Sequence, residues 1–160
     1  MATVIDQELY QVATLIDQLK NDDAQLRVRA AKNIHQIAAA LGPDRTRNEL
    51  IPFLSESLDD EDEVLQIIAE NIGHLVNSMG EAQYVYILLG PLEFLSTVEE
   101  SGIRDAAVKS VETVVKSMPD THIVDHYFPF IIKLASKDWY NWFTGSFGQY
   151  LIYFYTQVYF

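Results

Sequence analysis

The strongest constraint on the fold of this chain is a repeat of about 39 residues along its whole length, a period typical of stacked repeat units. Leu26, Val64, Ile103 and Trp142 follow one another at almost equal intervals. After each of them, apolar or small residues recur at offsets of 4, 5, 8, 11 and 12. Such spacing marks one face of an α-helix. The sequence therefore predicts four equivalent amphipathic helices.

A second apolar segment precedes each of these helices. In the last three repeats it contains Pro52, Pro91 and Pro129, which recur with the same period. A proline inside a helix removes one backbone hydrogen bond and bends the helix. Residues that stop one helix and cap the next separate the pairs: Gly42-Pro43-Asp44, Ser78-Met79-Gly80 and Met118-Pro119-Asp120. Each repeat is thus predicted to hold a first and a second helix, and the first helix is predicted to bend in the last three repeats.

A helix pair of this size cannot bury its own apolar face, so it must stack on copies of itself. We therefore predict an all-α fold, an α-α superhelix in which about four helix pairs form one armadillo-like solenoid. The pairs are expected at residues 8–41, 46–79, 83–118 and 122–160.

The charge of the chain is concentrated in its middle. The formal net charge is −12, yet no Lys or Arg lies between Asn48 and Ile103, where twelve of the 23 acidic residues fall. An acidic surface lacks the basic residues that displace counterions from phosphates, so we expect no nucleic-acid partner. A basic protein surface is the expected electrostatic partner.

Signals for catalysis, metals and cofactors are weak. The chain has no cysteine, which excludes disulfides, thiolate catalysis and Cys-containing zinc sites. His122 and His126 have the i, i+4 spacing of two metal ligands, but the intervening Glu of a metalloprotease is missing. One class of di-iron hydroxylase is also built from helical repeats and depends on His-Glu dipeptides, but none of the four histidines here precedes a Glu. We expect no enzyme activity, no metal and no cofactor.

Six fragments, in order, resemble the scaffold (A-type regulatory) subunits of protein phosphatase 2A, which are built from HEAT repeats. They are LIDQL at 15–19, LGPDRTR at 41–47, LIPFL at 50–54, DEDEV at 60–64, LSTVEE at 95–100 and KDWY at 137–140. The resemblance covers residues 8 to about 140 and points to the N-terminal repeats of that family.

This resemblance implies a non-catalytic scaffold. In the family, the N-terminal repeats bind a regulatory B-type subunit through the turns inside each repeat, and the C-terminal repeats bind the catalytic subunit. The catalytic subunit would therefore be reached only indirectly here. The partner-contacting positions of the family fall on Asp60, Glu61, Asp62, Glu63, Glu99, Glu100, Trp139 and Tyr140.

The same residues also have simpler interpretations. Acidic residues at a helix start cap free amides and complement the helix dipole, and Trp139 and Tyr140 could belong to the core. For the arginines near the helix starts, we expect an Asp–Arg ladder between neighbouring repeats; these are Arg27, Arg29, Arg45, Arg47 and Arg104. The alternative function is a generic HEAT adaptor, such as a nuclear-transport-receptor fragment that binds basic peptides on its concave face.

The C-terminal segment has an unusual composition. Residues 139–160 carry no charge and hold 11 of the 19 aromatic residues. Polar residues interrupt the segment and no basic flank follows it, so membrane insertion is not expected. An uncapped apolar end favours self-association through residues 142–160. The absence of cysteine and of a secretory signal predicts a location in the cytoplasm, with the nucleus as a second compartment.

Overall fold

The computed structural model describes residues 4–135, which are helical and contain no β-strand. The α-helices are α1 (Val4–Leu19), α2 (Ala24–Lys32), α3 (Ile34–Arg45), α4 (Ile51–Glu56), α5 (Asp62–Ile72), α6 (Leu89–Leu95), α7 (Ser101–Lys116), α8 (Asp120–His122) and α9 (Phe128–Ala135). Segments Thr46–Leu50 and Ile123–Tyr127 are π-helical, and Gly73–Met79 and Ala82–Leu88 are 3-10 helices.

These segments form two layers. The first helices of successive repeats stack on one another, α4 against α6 and α6 against α9. The second helices do the same, α2 against α5 and α5 against α7. This arrangement confirms the predicted α-α superhelix over the described residues. The exact division into four repeats stays a prediction, because the expected fourth second helix, from Trp142 onward, lies outside the described residues.

The helix changes type just ahead of each of the three prolines at which the sequence predicts a bend. Pro52 and Pro129 each follow a π-helical turn that begins six residues earlier, at Thr46 and at Ile123. The segment ahead of Pro91 is a 3-10 helix. A proline donates no hydrogen bond, and its ring crowds the carbonyl four residues before it. The backbone relieves this conflict by changing the size of its hydrogen-bonded ring.

The core lies between the two layers and is made of aliphatic side chains at the repeating positions. Ile34 and Ile72 are fully buried, and their equivalent Val111 is 2% exposed. Leu54 and Leu92, from the first helices, are also fully buried. Burial of such side chains contributes about 1.5–3 kcal/mol each. The apolar positions that recur in the sequence are therefore the positions that form the core.

The second helices are not equally regular. In the first repeat, Asn33 separates α2 from α3, and the Gly42 backbone, with φ of 78°, interrupts α3 near its end. In the second repeat, α5 changes to a 3-10 helix at Gly73. In the third repeat, α7 continues unbroken for 16 residues. The sequence predicted equivalent helices, so this difference is a finding of the structure.

Candidate partner-binding ridge

The turns inside successive repeats lie side by side and form one edge of the stack. We call this edge the turn ridge and define it by residues 21–23, 59–63 and 97–101. The guanidinium of Arg27 joins the first two turns, because it contacts the backbone of residues 21 and 22 and the side chain of Asp60. Packing of α5 against α7 brings the third turn next to the second.

Arg27 and Asp60 form the best-defined contact of the ridge. Nε of Arg27 donates to both carboxylate oxygens of Asp60 at 3.1 and 2.9 Å, and Nη2 donates to Oδ1 at 2.8 Å. The side chains are only 15% and 12% exposed. The hydrogen bond to Asp60 raises the pKa of Arg27 above its usual value. The expected Asp–Arg ladder is confirmed at this pair.

Arg27 also stabilises the first turn. Its Nη1 donates to the carbonyl oxygens of Asn21 and Asp22 at 2.7 and 2.9 Å. Arg104 repeats this arrangement in the third turn, where Nη1 donates to the carbonyl oxygens of Val98 and Glu99 at 2.8 and 2.5 Å. The second repeat carries Leu65 at the equivalent position. The two arginines thus hold the first and third turns in the same shape.

The other predicted contact residues of the second turn point to solvent. The side chain of Glu61 is 68% exposed and lies 3.5 Å from Arg27. Asp62 and Glu63 are exposed in the first turn of α5, where their charges complement the helix dipole. Glu63 accepts one hydrogen bond, from Nε2 of Gln25 at 3.2 Å. The second turn therefore presents three accessible carboxylates, while Asp60 is engaged inside the stack.

In the third turn, Glu99 and Glu100 are both exposed. Oε1 of Glu100 accepts a hydrogen bond from the backbone of Gly102 at 3.3 Å and so caps α7. The capping interpretation thus holds for Glu100, whereas Glu61, at the equivalent place before α5, makes no such side-chain bond. Trp139 and Tyr140, the predicted contacts of the fourth turn, lie outside the described residues.

The remaining arginines do not extend the ladder. Arg45 pairs with Glu49 one turn away on its own segment, at 2.8 Å. Arg47 lies at the opposite edge of the stack, where Nη1 donates to the Met79 carbonyl oxygen at 2.5 Å and the guanidinium covers the ring of Tyr84 at 4.1 Å. Arg29 is exposed on α2. The sequence did not predict the role of Arg47, since these two contacts come from residues 32 and 37 positions later in the chain.

The Arg47 contact explains one glycine. Gly80 has a φ of 85°, a conformation that L side chains rarely adopt. A Cβ at this position would also lie 3.0 Å from Nη1 of Arg47 and 3.0 Å from Cβ of Pro43. At the edge opposite the turn ridge, Arg47 therefore packs against position 80, which leaves room for it because Gly80 has no side chain.

A groove of about 500 Å³ runs between α5 and α7 on the layer of second helices. Its walls include Glu70, His74, Asp105 and Lys109. Over residues 4–135, no three His, Asp or Glu side chains converge as metal ligands would. Within the same range, no helix is long and apolar enough to cross a bilayer.

Comparisons with known proteins agree with the helical stack. No protein-family model matches the chain. It is 44% identical over 137 residues to the A alpha isoform of the serine/threonine-protein phosphatase 2A 65 kDa regulatory subunit of Arabidopsis thaliana, covering 86% of the chain and 23% of the relative. It is 42% identical over 143 residues to the A-type regulatory subunit of protein phosphatase PP2A from Schizosaccharomyces pombe, covering 89% of the chain and 24% of the relative.

The corresponding Drosophila melanogaster 65 kDa regulatory subunit is 43% identical over 148 residues, which cover 92% of the chain and 25% of the relative. The chain thus spans about a quarter of the length of these relatives. The similarity agrees with the resemblance seen in the sequence, and the observed helix pairs agree with a HEAT-repeat solenoid. By these relatives and this fold, the chain belongs to the family of the protein phosphatase 2A 65 kDa regulatory subunits.

Proposed function

We propose that this chain is a non-catalytic scaffold segment of a protein phosphatase 2A holoenzyme and that its turn ridge binds a regulatory B-type subunit. The relatives are named regulatory subunits, which supports a role in assembly rather than in catalysis. The catalytic subunit is reached only indirectly in this proposal. We place the complex in the cytoplasm and also in the nucleus.

The observation that carries the proposal is that one ridge carboxylate is paired inside the stack while the others are exposed to solvent. Arg27 holds Asp60 inside the stack, while Glu61, Asp62, Glu63, Glu99 and Glu100 remain exposed. Capping α7 requires only Glu100. The remaining acids exceed what capping needs and are placed to pair with Arg or Lys of a partner.

The test reverses two ridge charges without disturbing the fold. Glu63→Lys with Glu99→Lys leaves the Glu100 cap and the Arg27–Asp60 pair in place. We expect affinity for a purified B-type subunit, measured by calorimetry at low salt, to fall about tenfold or more, because like charges then face each other. Circular dichroism should be unchanged.

The matched control carries the same change in charge on the opposite edge. Glu81 and Asp120 are exposed near the loops between repeats, and Glu81→Lys with Asp120→Lys should bind the B-type subunit with the affinity of the unmodified chain. Equal affinity for both double variants would contradict an electrostatic role of the turn ridge.

A second candidate function uses the groove between α5 and α7. Glu70 and Asp105 line it from the two helices, so a generic HEAT adaptor could hold a basic peptide there by charge complementarity. Glu70→Lys with Asp105→Lys separates the two functions. If the double variant no longer binds a Lys/Arg-rich peptide but keeps its affinity for a B-type subunit, the result would support the adaptor function for this groove.

A further inference from the structure

The helix break in the second repeat coincides with a side chain from the third repeat. α5 ends at Ile72, and the 3-10 helix begins at Gly73. At this point the Gly73 N–H donates to Oγ of Ser110 at 3.2 Å, and the Ser110 hydroxyl donates to the carbonyl oxygen of Ala69 at 2.5 Å. In an uninterrupted α-helix, Gly73 would donate to Ala69 directly. The hydroxyl of Ser110 is thus inserted into the hydrogen-bond ladder of the neighbouring repeat.

The two residues are matched in size. Ser110 is 4% exposed. A Cβ on Gly73 would lie 2.9 Å from Oγ of Ser110 and 3.0 Å from its Cα. The backbones of the two second helices therefore approach closely only because position 73 has no side chain. A longer residue at position 110 would face the same restriction from the other side.

The break in α5 differs from the break between α2 and α3. Nδ2 of Asn71 donates to the carbonyl oxygen of Ile67, four residues earlier, at 2.8 Å, and Asn71 itself stays within α5. The equivalent Asn33 makes the same bond to Arg29 at 2.8 Å but lies outside both helices. In the second repeat, the helix changes two residues after the asparagine, where the Ser110 hydroxyl enters. Insertion of a polar group into the ladder is a known cause of helix bending.

We propose that the junction between the second and third repeats is a hinge and that the inserted hydroxyl of Ser110 sets its angle. With the hydroxyl inserted, α5 stops at Ile72 and the third repeat keeps its observed position against it. With the hydroxyl withdrawn, Gly73 can donate directly to Ala69, and the α-helical hydrogen-bond ladder can continue past Gly73 in place of the 3-10 helix. This exchange changes the angle between the repeats and hence the separation of the turns at 59–63 and 97–101. The inference concerns the stack itself and does not depend on the proposed partner.

The test removes the hydroxyl in the full chain. Ser110→Ala should shift the backbone carbon resonances of residues 73–76 toward α-helical values. Because the chain has no native cysteine, spin labels at Glu61→Cys and Glu99→Cys report the distance between the two turns. We expect this distance distribution to be displaced in Ser110→Ala. The control is Ser117→Ala on the same segment of chain, whose hydroxyl bonds only its own helix, at the Thr113 carbonyl oxygen.

If Ser110→Ala and Ser117→Ala give the same resonances and the same label distances as the unmodified serines, the hinge is overturned. If Ser110→Ala fails to fold, Ser110→Cys carries the resonance measurement in the chain without labels. A thiol is close in size to a hydroxyl but is a weaker donor and acceptor, so the expected shift at residues 73–76 is smaller and in the same direction. Unshifted resonances in a folded Ser110→Cys would overturn the proposal.

Discussion

The junction between repeats 1 and 2 and the junction between repeats 2 and 3 bring together equivalent second helices by different means. At the first, Arg27 reaches from α2 to Asp60, and the contact lies at the turn ridge. At the second, Gly73 and Ser110 bring two backbones together in the middle of the helices. The repeat thus fixes which helices meet, while each junction is held by its own local contacts.

The difference matters for the turn ridge. The first junction uses one carboxylate of the second turn for internal pairing, so that carboxylate is unavailable to a partner. The second junction relies on small residues away from the edge and leaves Glu99 exposed. Because the stack is held together elsewhere, the third turn can present its charge to solvent.

The largest effect is expected from crowding the second junction. Gly73→Ala should destabilise the chain by about 3 kcal/mol, the upper range for overpacking, because the added Cβ meets backbone as well as a side chain. Urea denaturation measures this change. In Gly90→Ala, on an exposed helical position with open space around it, we expect a gain of up to about 1 kcal/mol from helix propensity. Equal stability of the two variants would contradict the close backbone approach.

The first helix of the next repeat can be examined by pH. Tyr127 lies two residues before its proline, the place that Leu50 and Leu89 occupy in the earlier repeats, and burial raises its pKa from 10.0 to about 12. The folded state therefore disfavours the ionised tyrosine. Stability should be full below about pH 10 and should fall by roughly 2–3 kcal/mol as the pH rises toward 12.

The measurement for Tyr127 is denaturation at several alkaline pH values. Tyr127→Phe should lack this component of the decline, since it has no group to ionise. A variant whose stability falls with pH as steeply as that of the unmodified chain would show that Tyr127 does not titrate inside the core.

The smallest of these effects concerns the first junction. Arg27→Met removes the partner of the mostly buried Asp60 and the donor to two turn carbonyls, so we expect a clear fall in melting temperature. Arg29→Met changes the same charge two residues away at an exposed position and should melt as the unmodified chain does. If the two variants melted alike, the Arg27–Asp60 pair would not hold the junction.

Much of the fold could be predicted from the sequence because its determinants repeat. The apolar positions equivalent to Ile34 recur in every described repeat and form the core. Pro52, Pro91 and Pro129 recur as well, and the helix changes type just ahead of each of them. The type of helical turn could not be predicted, since π and 3-10 turns both relieve the same proline conflict.

The two residues of the proposed hinge do not recur in the other repeats, so the repeat pattern did not predict it. Gly73 corresponds to His35 and Glu112 in the neighbouring repeats, and Ser110 corresponds to two asparagines. Neither set of equivalent residues indicates that Gly73 and Ser110 form a hydrogen bond across a junction. The contact depends on the distance between two backbones, which only the folded structure provides.

For the turn ridge, the sequence identified the acidic residues but could not divide them by role. Asp60 and Glu61 are neighbours in the chain, yet one is bound inside the stack and the other is 68% exposed. The difference comes from Arg27, which lies 33 residues earlier than Asp60. The second repeat has Leu65 where Arg27 would recur, so repetition does not predict the next pair.

The π-helical turns ahead of Pro52 and Pro129 have a consequence for how such a chain can change over evolutionary time. Each encloses one more residue in its hydrogen-bonded ring than an α turn does. Deletion of a single residue there can be absorbed by a return to ordinary α geometry, with the flanking apolar positions kept in phase. The first helices thereby gain a place where small insertions and deletions do not propagate into the rest of the array.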